Sequence, residues 1–576
     1  MKKLLSLALC LVCATFAFAC GPTNNNSSGN GNSNGAREDM TVIKVQNFPG
    51  GVGRKWLDNA AARFQDEYKD YHFEDGKTGV YIDITNEQPD SKTLNTSAYH
   101  IVFDERYSEI YSLAQSGIIL PLDDLVKDAS DGTSLEQRIR PAALEGLKGP
   151  DGSYYALPHY EWFPGVTYDK DSFDKNNWYI AKDAENGNEC STKYGSIYLV
   201  KNKNSAKSCG PDGKENTDDD GLPSTLQELL ILSAQIQKVT GIGPFTLSGS
   251  WLYYSNYLVE GLWASLAGSE ELRAVYDLSG KVTVVTGYSD ENLFEGVNYV
   301  KKPTTEEVAI SDENGYLAFE SAARYYAVSF VEVLRREGLF SPEASQSIGS
   351  TETQAVFIEG GMDSSTKDRA FLIEGTYWYN EAVENESFQN YFDMTGKTKR
   401  EVRFMNLPVS VNEPVTAGAN AKKSSIIDGA LSYAYINARY KNNAKIVAAC
   451  KEFLKFLYSD VELKEFTALT GVTRPIDYTL TAAQYNNLPS FQQKVYDLSR
   501  KENSDVLYFS SANETFKKSQ AALKIQPSSS IMQPTVNSTT YNSYFEAFKG
   551  GCGLTDVFNV TGFTSAEWNK ILDRRE

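Results

Sequence analysis

The sequence predicts an α/β protein with two lobes, and three observations predict it. Residues 40–125 alternate strand patterns with amphipathic helix patterns, the order that builds a parallel sheet flanked by helices. A second strand-to-helix passage, "RAFLIEGTYWYNEAV", recurs far downstream with Gly375 at its turn. No low-complexity linker divides the folded part of this 576-residue chain. A chain of that length holds more than one core, and without a linker it passes between its lobes more than once.

The chain opens with Lys2 and Lys3 and then "LLSLALCLVCATFAFA", an apolar run too short to be a secure spanning helix but suited to a signal peptide over residues 1–19. Ala17 and Ala19 stand at −3 and −1 from Cys20, which suits cleavage before that cysteine. The arrangement resembles a bacterial lipoprotein lipobox, with Ala17 where the pattern prefers Leu, and implies a diacylglycerol on the Cys20 thiol. An ordinary signal peptide that precedes a cysteine is the alternative. Residues 20–40 include "GPTNNNSSGNGNSNG", which cannot bury apolar surface and reads as a flexible tether. As a coil of about 20 residues it reaches roughly 25 Å.

Along the folded part, Val42, Ile43 and Val45 form a strand, a Gly/Pro turn follows, and Trp56, Leu57, Ala60, Phe64 and Tyr68 mark a helix. "VYIDIT" is a second strand. "HIVFDERYSEIYSLAQSGIILPLDDLV" reads as a strand ending near Asp104, a helix, and a turn at Pro121. Ligands bind at the carboxyl ends of strands in such sheets, where Asn47, Asp104, Glu105 and Arg106 stand. A polar insertion, a helix in "PSTLQELLILSAQIQKVTG" and an aromatic region in "SGSWLYYSNYLVEGLW" follow. "VRFMNLPVSV" is strand-like, and residues 444–480 read as a helix pair ending in "TGVTRP".

Composition excludes several function classes. With 56 basic against 75 acidic residues the formal net charge is −19, which repels phosphate backbones and argues against nucleic acid. The three histidines, His72, His100 and His159, are scattered, and no HExxH, GxSxG, P-loop or pair of CxxC motifs is present.

The order of these segments resembles the extracellular solute-binding proteins of ABC importers, in the family that binds sugars and oligosaccharides. "NAAARFQDEY" is similar to that family's first helix. "DGSYYALPHYEWFPGVTYDKDSF" is similar to the segment that leads into its second lobe, "AFLIEGTYWYNEA" to its strand and helix, and "ACKEFLKFLYSDVELKEFTALTGVTRP" to its closing helices. The match spans roughly residues 41–480. It covers the insertions near 183–220 and 277–315 and the last hundred residues poorly. The resemblance implies a type II periplasmic-binding-protein-like fold: hinged lobes with parallel-type sheets, closing on ligand in the cleft between them. It places one lobe at 41–165 with 427–485 and the other at 166–426 with 486–576. It further implies a monomer, lipid-anchored at the outer face of the cytoplasmic membrane, that hands a carbohydrate to permease subunits, with no cofactor and no chemistry.

A sugar presents an apolar ring face and a rim of hydroxyls, so it is held by flat aromatics and by carboxylates, amides or Arg. On the resemblance, the ligand residues are Asn47, Asp104, Glu105, Glu161, Trp162, Trp251, Tyr254, Glu374, Tyr377, Trp378 and Arg474. Rival readings stand beside several. Trp251, Tyr254 and Tyr257 recur at helical spacing, which core packing also explains. Asp104 suits a helix N-cap, and Arg474 a buried ion pair. Trp56, Trp263 and Trp568 read as packing residues.

Two further expectations come from the residues themselves. Asp212, Asn216, Asp218 and Asp220 alternate around glycines in "GPDGKENTDDDGLPST", a pattern of hard oxygen ligands suited to calcium, although a solvated acidic turn is the alternative. Cys190 and Cys209 flank a polar segment and could form a disulfide outside the cell, whereas Cys450 lies in an apolar helical pattern and reads as a core thiol. Two other functions stay open: a surface glycoside hydrolase or lyase built on paired carboxylates such as Asp104 and Glu374, and a glycan-binding sensor or adhesin on the same fold.

Overall fold

The structure, a computed structural model, describes residues 38–573 apart from 49, 91, 106–109, 131, 419–422, 430–431 and 509–531. The signal segment, Cys20 with its expected lipid, most of the tether and Arg106 lie outside the described residues.

Two mixed sheets organise the molecule. The strands are β1 (Thr41–Asn47), β2 (Val80–Asn86), β3 (Ile101–Asp104), β4 (Leu157–Pro158), β5 (Pro164–Asp169), β6 (Phe245–Thr246), β7 (Phe371–Gly375), β8 (Val402–Phe404) and β9 (Tyr433–Ile436). The first sheet runs β2-β1-β3-β9-β4, with β2 and β3 parallel to β1 and with β9 antiparallel to β3 and β4. The second runs β8-β5-β7-β6, where only β6 and β7 are parallel. The parallel sheet expected from residues 40–125 is therefore confined to three strands. Parallel neighbours need a helical crossover within their own sheet. The chain instead leaves the first sheet between Pro158 and Pro164 and returns at Tyr433 after building the second, and the returning strand pairs in the opposite sense.

The helices cover these sheets with one apolar face each. In α1 (Lys55–Glu67) the buried residues Trp56, Leu57, Ala60, Ala61 and Phe64 share a face. The Phe64 ring lies 4.9 Å from Phe453 in the later helix of residues 444–457, which buries Cys450 completely, as its apolar pattern predicts. Helix α2 (Leu226–Thr240) opens with a capping box between Thr225 and Glu228. Helix α3 (Ser255–Asp277) packs along β5, and α4 (Ala322–Arg336) along α3. Strand β7, buried at all five residues, leads into α5 (Trp378–Glu384).

The segments outside the resemblance have structures of their own. Antiparallel ribbons occupy Gly187–Thr192 with Gly195–Val200, and Lys281–Asn292 with Lys301–Ala309. At the end of the chain, α6 (Tyr544–Lys549), α7 (Leu554–Val560) and α8 (Ser565–Asp573) fold back on the second-sheet side. The fully buried Arg324 guanidinium of α4 fastens them by donating to Phe558 O (3.0 Å), Thr561 Oγ1 (2.7 Å) and Tyr544 Oη (3.2 Å).

Two expectations are corrected. Cys190 and Cys209 are separate buried thiols. Cys190 lies within the Gly187–Thr192 strand, while Cys209 donates to the Val415 carbonyl at 3.6 Å, so the fold gives each its own surroundings. The acidic loop, in turn, does not converge on a cation. Asp220 accepts the Asn216 amide (2.8 Å), Asp212 accepts the Lys214 amide (2.8 Å), and Asp218 pairs with Arg403 (3.0 Å). Among the described residues no group of three or more His, Cys, Asp and Glu is placed to hold a metal. The loop's carboxylates are taken up by its own backbone and a neighbouring arginine.

Candidate functional site

Between the two sheets lies a cavity of about 660 Å³, within the range of about 300–1,000 Å³ that encloses small-molecule ligands. The first-sheet side supplies Phe48, Gly50 and Gly51 from the loop after β1, Glu105 after β3, and Tyr160 and Trp162 from the crossing between β4 and β5. The second-sheet side supplies Trp251, Tyr253, Tyr254 and Tyr257 around the start of α3, then Tyr377 at the N-cap of α5 and Glu381 within it. The C-terminal segment adds Gln533, Asn542 and Glu546.

The aromatic wall is built edge to face. The Trp162 ring meets Tyr377 at 5.1 Å and 89°, and Tyr257 at 5.2 Å and 68°. Tyr254 and Tyr257 are stacked at 4.9 Å, and their hydroxyl rows continue through Tyr377, whose Oη is 3.3 Å from that of Tyr257. Such rings present flat apolar faces and leave hydroxyls for polar contacts.

The loop after β1 is held by Asn47, whose Nδ2 donates to Phe48 O (2.8 Å), Gly53 O (3.2 Å) and Asn86 Oδ1 (2.9 Å). Gly51 adopts φ +63°, and a Cβ there would stand 2.2 Å from Tyr160 Oη and 2.5 Å from Glu105 Oε2. Only glycine lets the loop approach this closely. Its amide then donates to Glu381 Oε1 at 3.3 Å, and Asn380 Nδ2 donates back to Gly51 O at 3.4 Å, so the two sheets touch at this point.

The electrostatics are those of buried acids. Tyr160 Oη donates to Glu105 Oε2 at 2.9 Å, and burial holds the Glu105 carboxyl well above the ordinary carboxylate range. Burial likewise raises Glu374 strongly and pushes Glu381 up to about 7, despite the Gln354 amide that donates to it at 3.0 Å. His159, 3.3 Å from Glu105 Oε1, is held neutral by its own burial and by Arg474.

Of the expected ligand residues, the cavity gathers Glu105, Trp162, Trp251, Tyr254 and Tyr377. It does not gather the others. Asn47 positions the loop. Asp104 is buried and accepts from Tyr435 Oη at 3.1 Å. Glu161 is buried under Arg140 (2.9 Å), Thr473 (2.5 Å) and Tyr508. Glu374 lies behind Tyr377, 1% exposed. Arg474 is fully buried, donating to His159 O and Leu457 O (2.8 Å each) with its guanidinium 4.4 Å from the Tyr458 and Phe466 rings, so it is a core cation without the carboxylate of the rival reading. Trp378 is corrected most firmly. It is 0% exposed, donates from Nε1 to Thr167 Oγ1 at 3.0 Å, and packs among Phe357, Phe388 and Phe491.

Sequence reasoning missed Phe48, Tyr160 and Glu381, and it named Tyr257 only for its helical spacing with Trp251 and Tyr254, while Tyr253, in the same aromatic cluster, does line the cavity. Two of these carried a signal. Tyr377 and Glu381 stand four apart at the start of a helix, and Tyr254 and Tyr257 three apart, so each pair shares a face. The C-terminal contribution carried none, since nothing local in residues 532–546 points to a cavity built mostly by residues 48–381.

Neither a protein-family model nor a curated protein matches the sequence. Solved structures do match it in fold. The structure titled "SBP RafE in complex with raffinose" aligns with TM-score 0.51 and 14% identity over 92% of this chain and 100% of its own. A probable secreted solute-binding lipoprotein from Streptomyces coelicolor aligns with TM-score 0.52 and 13% identity over 92% and 99%, and a chitin oligosaccharide binding protein with TM-score 0.50 and 13% identity over 90% and 100%. The chain has the two-lobed α/β fold of solute-binding proteins.

Proposed function

We propose that the protein is the substrate-binding lipoprotein of an ABC transporter and captures a carbohydrate, in oligosaccharide form, outside the cell. The observation that carries this reading is the cavity between the sheets, walled by aromatic rings from both sides and edged with tyrosine hydroxyls, amides and carboxyls. Rings stack on the apolar faces of a sugar while the polar edge answers its hydroxyls. The shared fold adds support, since solved neighbours are titled as binding raffinose and chitin oligosaccharides.

In this reading residues 41–165 with 427–485 form one lobe and 166–426 with 486–576 the other. The Gly51–Glu381 contact is a latch that forms when they close. Cys20 carries the lipid, the Asn/Ser/Gly tract is the tether, and the closed clamp presents both lobes to the permease. The cavity binds and releases its ligand without chemistry.

The test is calorimetric titration of the mature chain, lacking lipid, against an oligosaccharide panel, with chromatography of the sugar afterwards. Saturable binding with unchanged sugar is expected. Cleaved products would replace the reading with a hydrolase, and a panel without any binder would remove the carbohydrate. Mass spectrometry of the protein from a lipoprotein-processing host is expected to find diacylglycerol on Cys20, and its loss in Cys20→Ser.

A further inference from the structure

We infer that the site selects saccharides bearing a free, protonated amine, an amino sugar or its oligomer, over neutral and acidic sugars. This rests on the carbohydrate-binding reading and narrows it.

The charged residues lining the cavity, among those described, are Glu105, Glu381 and Glu546, and that lining holds no Lys, Arg or His; the basic ring next to it is His159, 3.3 Å from Glu105 Oε1 and shut off from the cavity. The nearest basic groups are engaged elsewhere. Arg474 is turned to the carbonyls of Leu457 and His159 inside its aromatic cage, and Arg140 is paired with Glu161. His159 is neutral. Neither Glu105 nor Glu381 has a cationic partner: Glu105 Oε2 takes a tyrosine hydroxyl, and Glu381 takes one amide N–H from Gly51 and one from Gln354. The Glu105 side chain is 4% exposed, and its Oε1 faces the neutral His159 ring at 3.3 Å and no cation. Behind Tyr377 the buried Glu374 Oε1 lacks a donor.

A neutral ligand meets these acids as protonated carboxyls and gains only ordinary hydrogen bonds from them. Buried carboxylates without cations are costly, so burial favours their protonated forms, and the nearby Glu381 raises Glu105 further. An acidic sugar brings a negative charge into a lining that has no cation to answer it. An ammonium gains more, since it gives charge-assisted hydrogen bonds to a carboxylate. The rings of Phe48, Trp162 and Tyr377 supply the negative faces that attract a cation within about 6 Å. Binding the cation ionises a carboxyl that the empty site holds protonated, so a proton leaves as the amine enters, and charge balances.

The experiment uses the mature chain and matched pairs of oligosaccharides, glucosamine against N-acetylglucosamine and galactosamine against N-acetylgalactosamine, titrated in buffers of differing ionisation enthalpy. The amine form is expected to bind tighter than its acetylated partner by about tenfold or more. It is expected to release a proton on binding and to gain affinity as pH rises from about 5.5 to about 7. Glu381→Gln is expected to erase the preference while melting as a folded protein. If a neutral or acetylated sugar binds and no amine partner binds tighter, the inference is overturned and the carbohydrate reading stands. If no member of the panel binds, both fall.

Discussion

The Gly51 amide donates to Glu381 Oε1 at 3.3 Å, joining the loop that follows the first strand of one sheet to the helix that follows the central strand of the other. The contact lies at the rim of the aromatic cavity, and Gly51 reaches it only because it has no side chain. The aromatic wall, the buried acids and the junction between the sheets thus meet at one glycine.

Gly51→Ala places a methyl group within 2.5 Å of both Tyr160 Oη and Glu105 Oε2, at a backbone angle of φ +63°. The conformational penalty is about 1 kcal/mol, and displacing the two side chains adds to it. Ligand affinity is expected to fall by about tenfold or more, and small-angle scattering is expected to report a more open ligand-bound form. Wild-type affinity in this variant would disprove the role given to the junction.

Tyr377 and Trp378 are adjacent yet have different duties. Trp378→Ala empties a fully buried site and is expected to cost about 3–5 kcal/mol in urea unfolding. Tyr377→Ala opens the cavity wall, and loss of ligand binding is expected to exceed any loss of stability. The reverse ranking would return Trp378 to the site.

Burial raises Glu381 from the ordinary 4.5 to about 7. Between these values the folded protein keeps a proton that the unfolded chain has released. Stability is therefore greatest below about pH 4.5 with respect to this group and is lost as pH rises towards about 7. The melting temperature is expected to decline over that window, and Glu381→Gln to flatten the slope. Glu105 and Glu374 shift in the same direction and leave a residual slope. A variant with the full wild-type slope would exclude Glu381 as a contributor.

Arg324→Ala removes the buried donor that ties Phe558, Thr561 and Tyr544 to α4. Leaving those acceptors unpaired is expected to cost about 3 kcal/mol or more and to expose the C-terminal helices to limited proteolysis. Because Asn542 and Glu546 line the cavity, ligand affinity is expected to weaken with the helices' release. Protease resistance equal to wild type would show that other contacts suffice.

The fold was largely legible because its signals are local. Trp56, Leu57, Ala60 and Phe64 recur at helical spacing, and the apolar run "FLIEG" needs only its neighbours to read as a buried strand. The site was legible in part. Glu105, Trp162, Trp251, Tyr254 and Tyr377 stand at strand ends or helix starts, where a ligand is expected. Asp104, Glu161 and Arg474 have the same residue types in similar places, but Tyr435, Arg140 and the Tyr458–Phe466 cage claim them first. The calcium loop misled for the same reason, since composition does not say that Arg403 and backbone amides will satisfy the acids.

By itself the sequence determined the alternation of strands and helices, the polar opening tract and the supply of aromatics, because periodicity and composition act over a few residues. Tertiary structure alone decided that Tyr377 faces the cavity while Trp378 is sealed against Phe357 and Phe491. It alone brought Gly51 to Glu381 and Glu546 to the rim. Which of two adjacent rings is wet depends on side chains hundreds of positions away, and no local pattern encodes those partners.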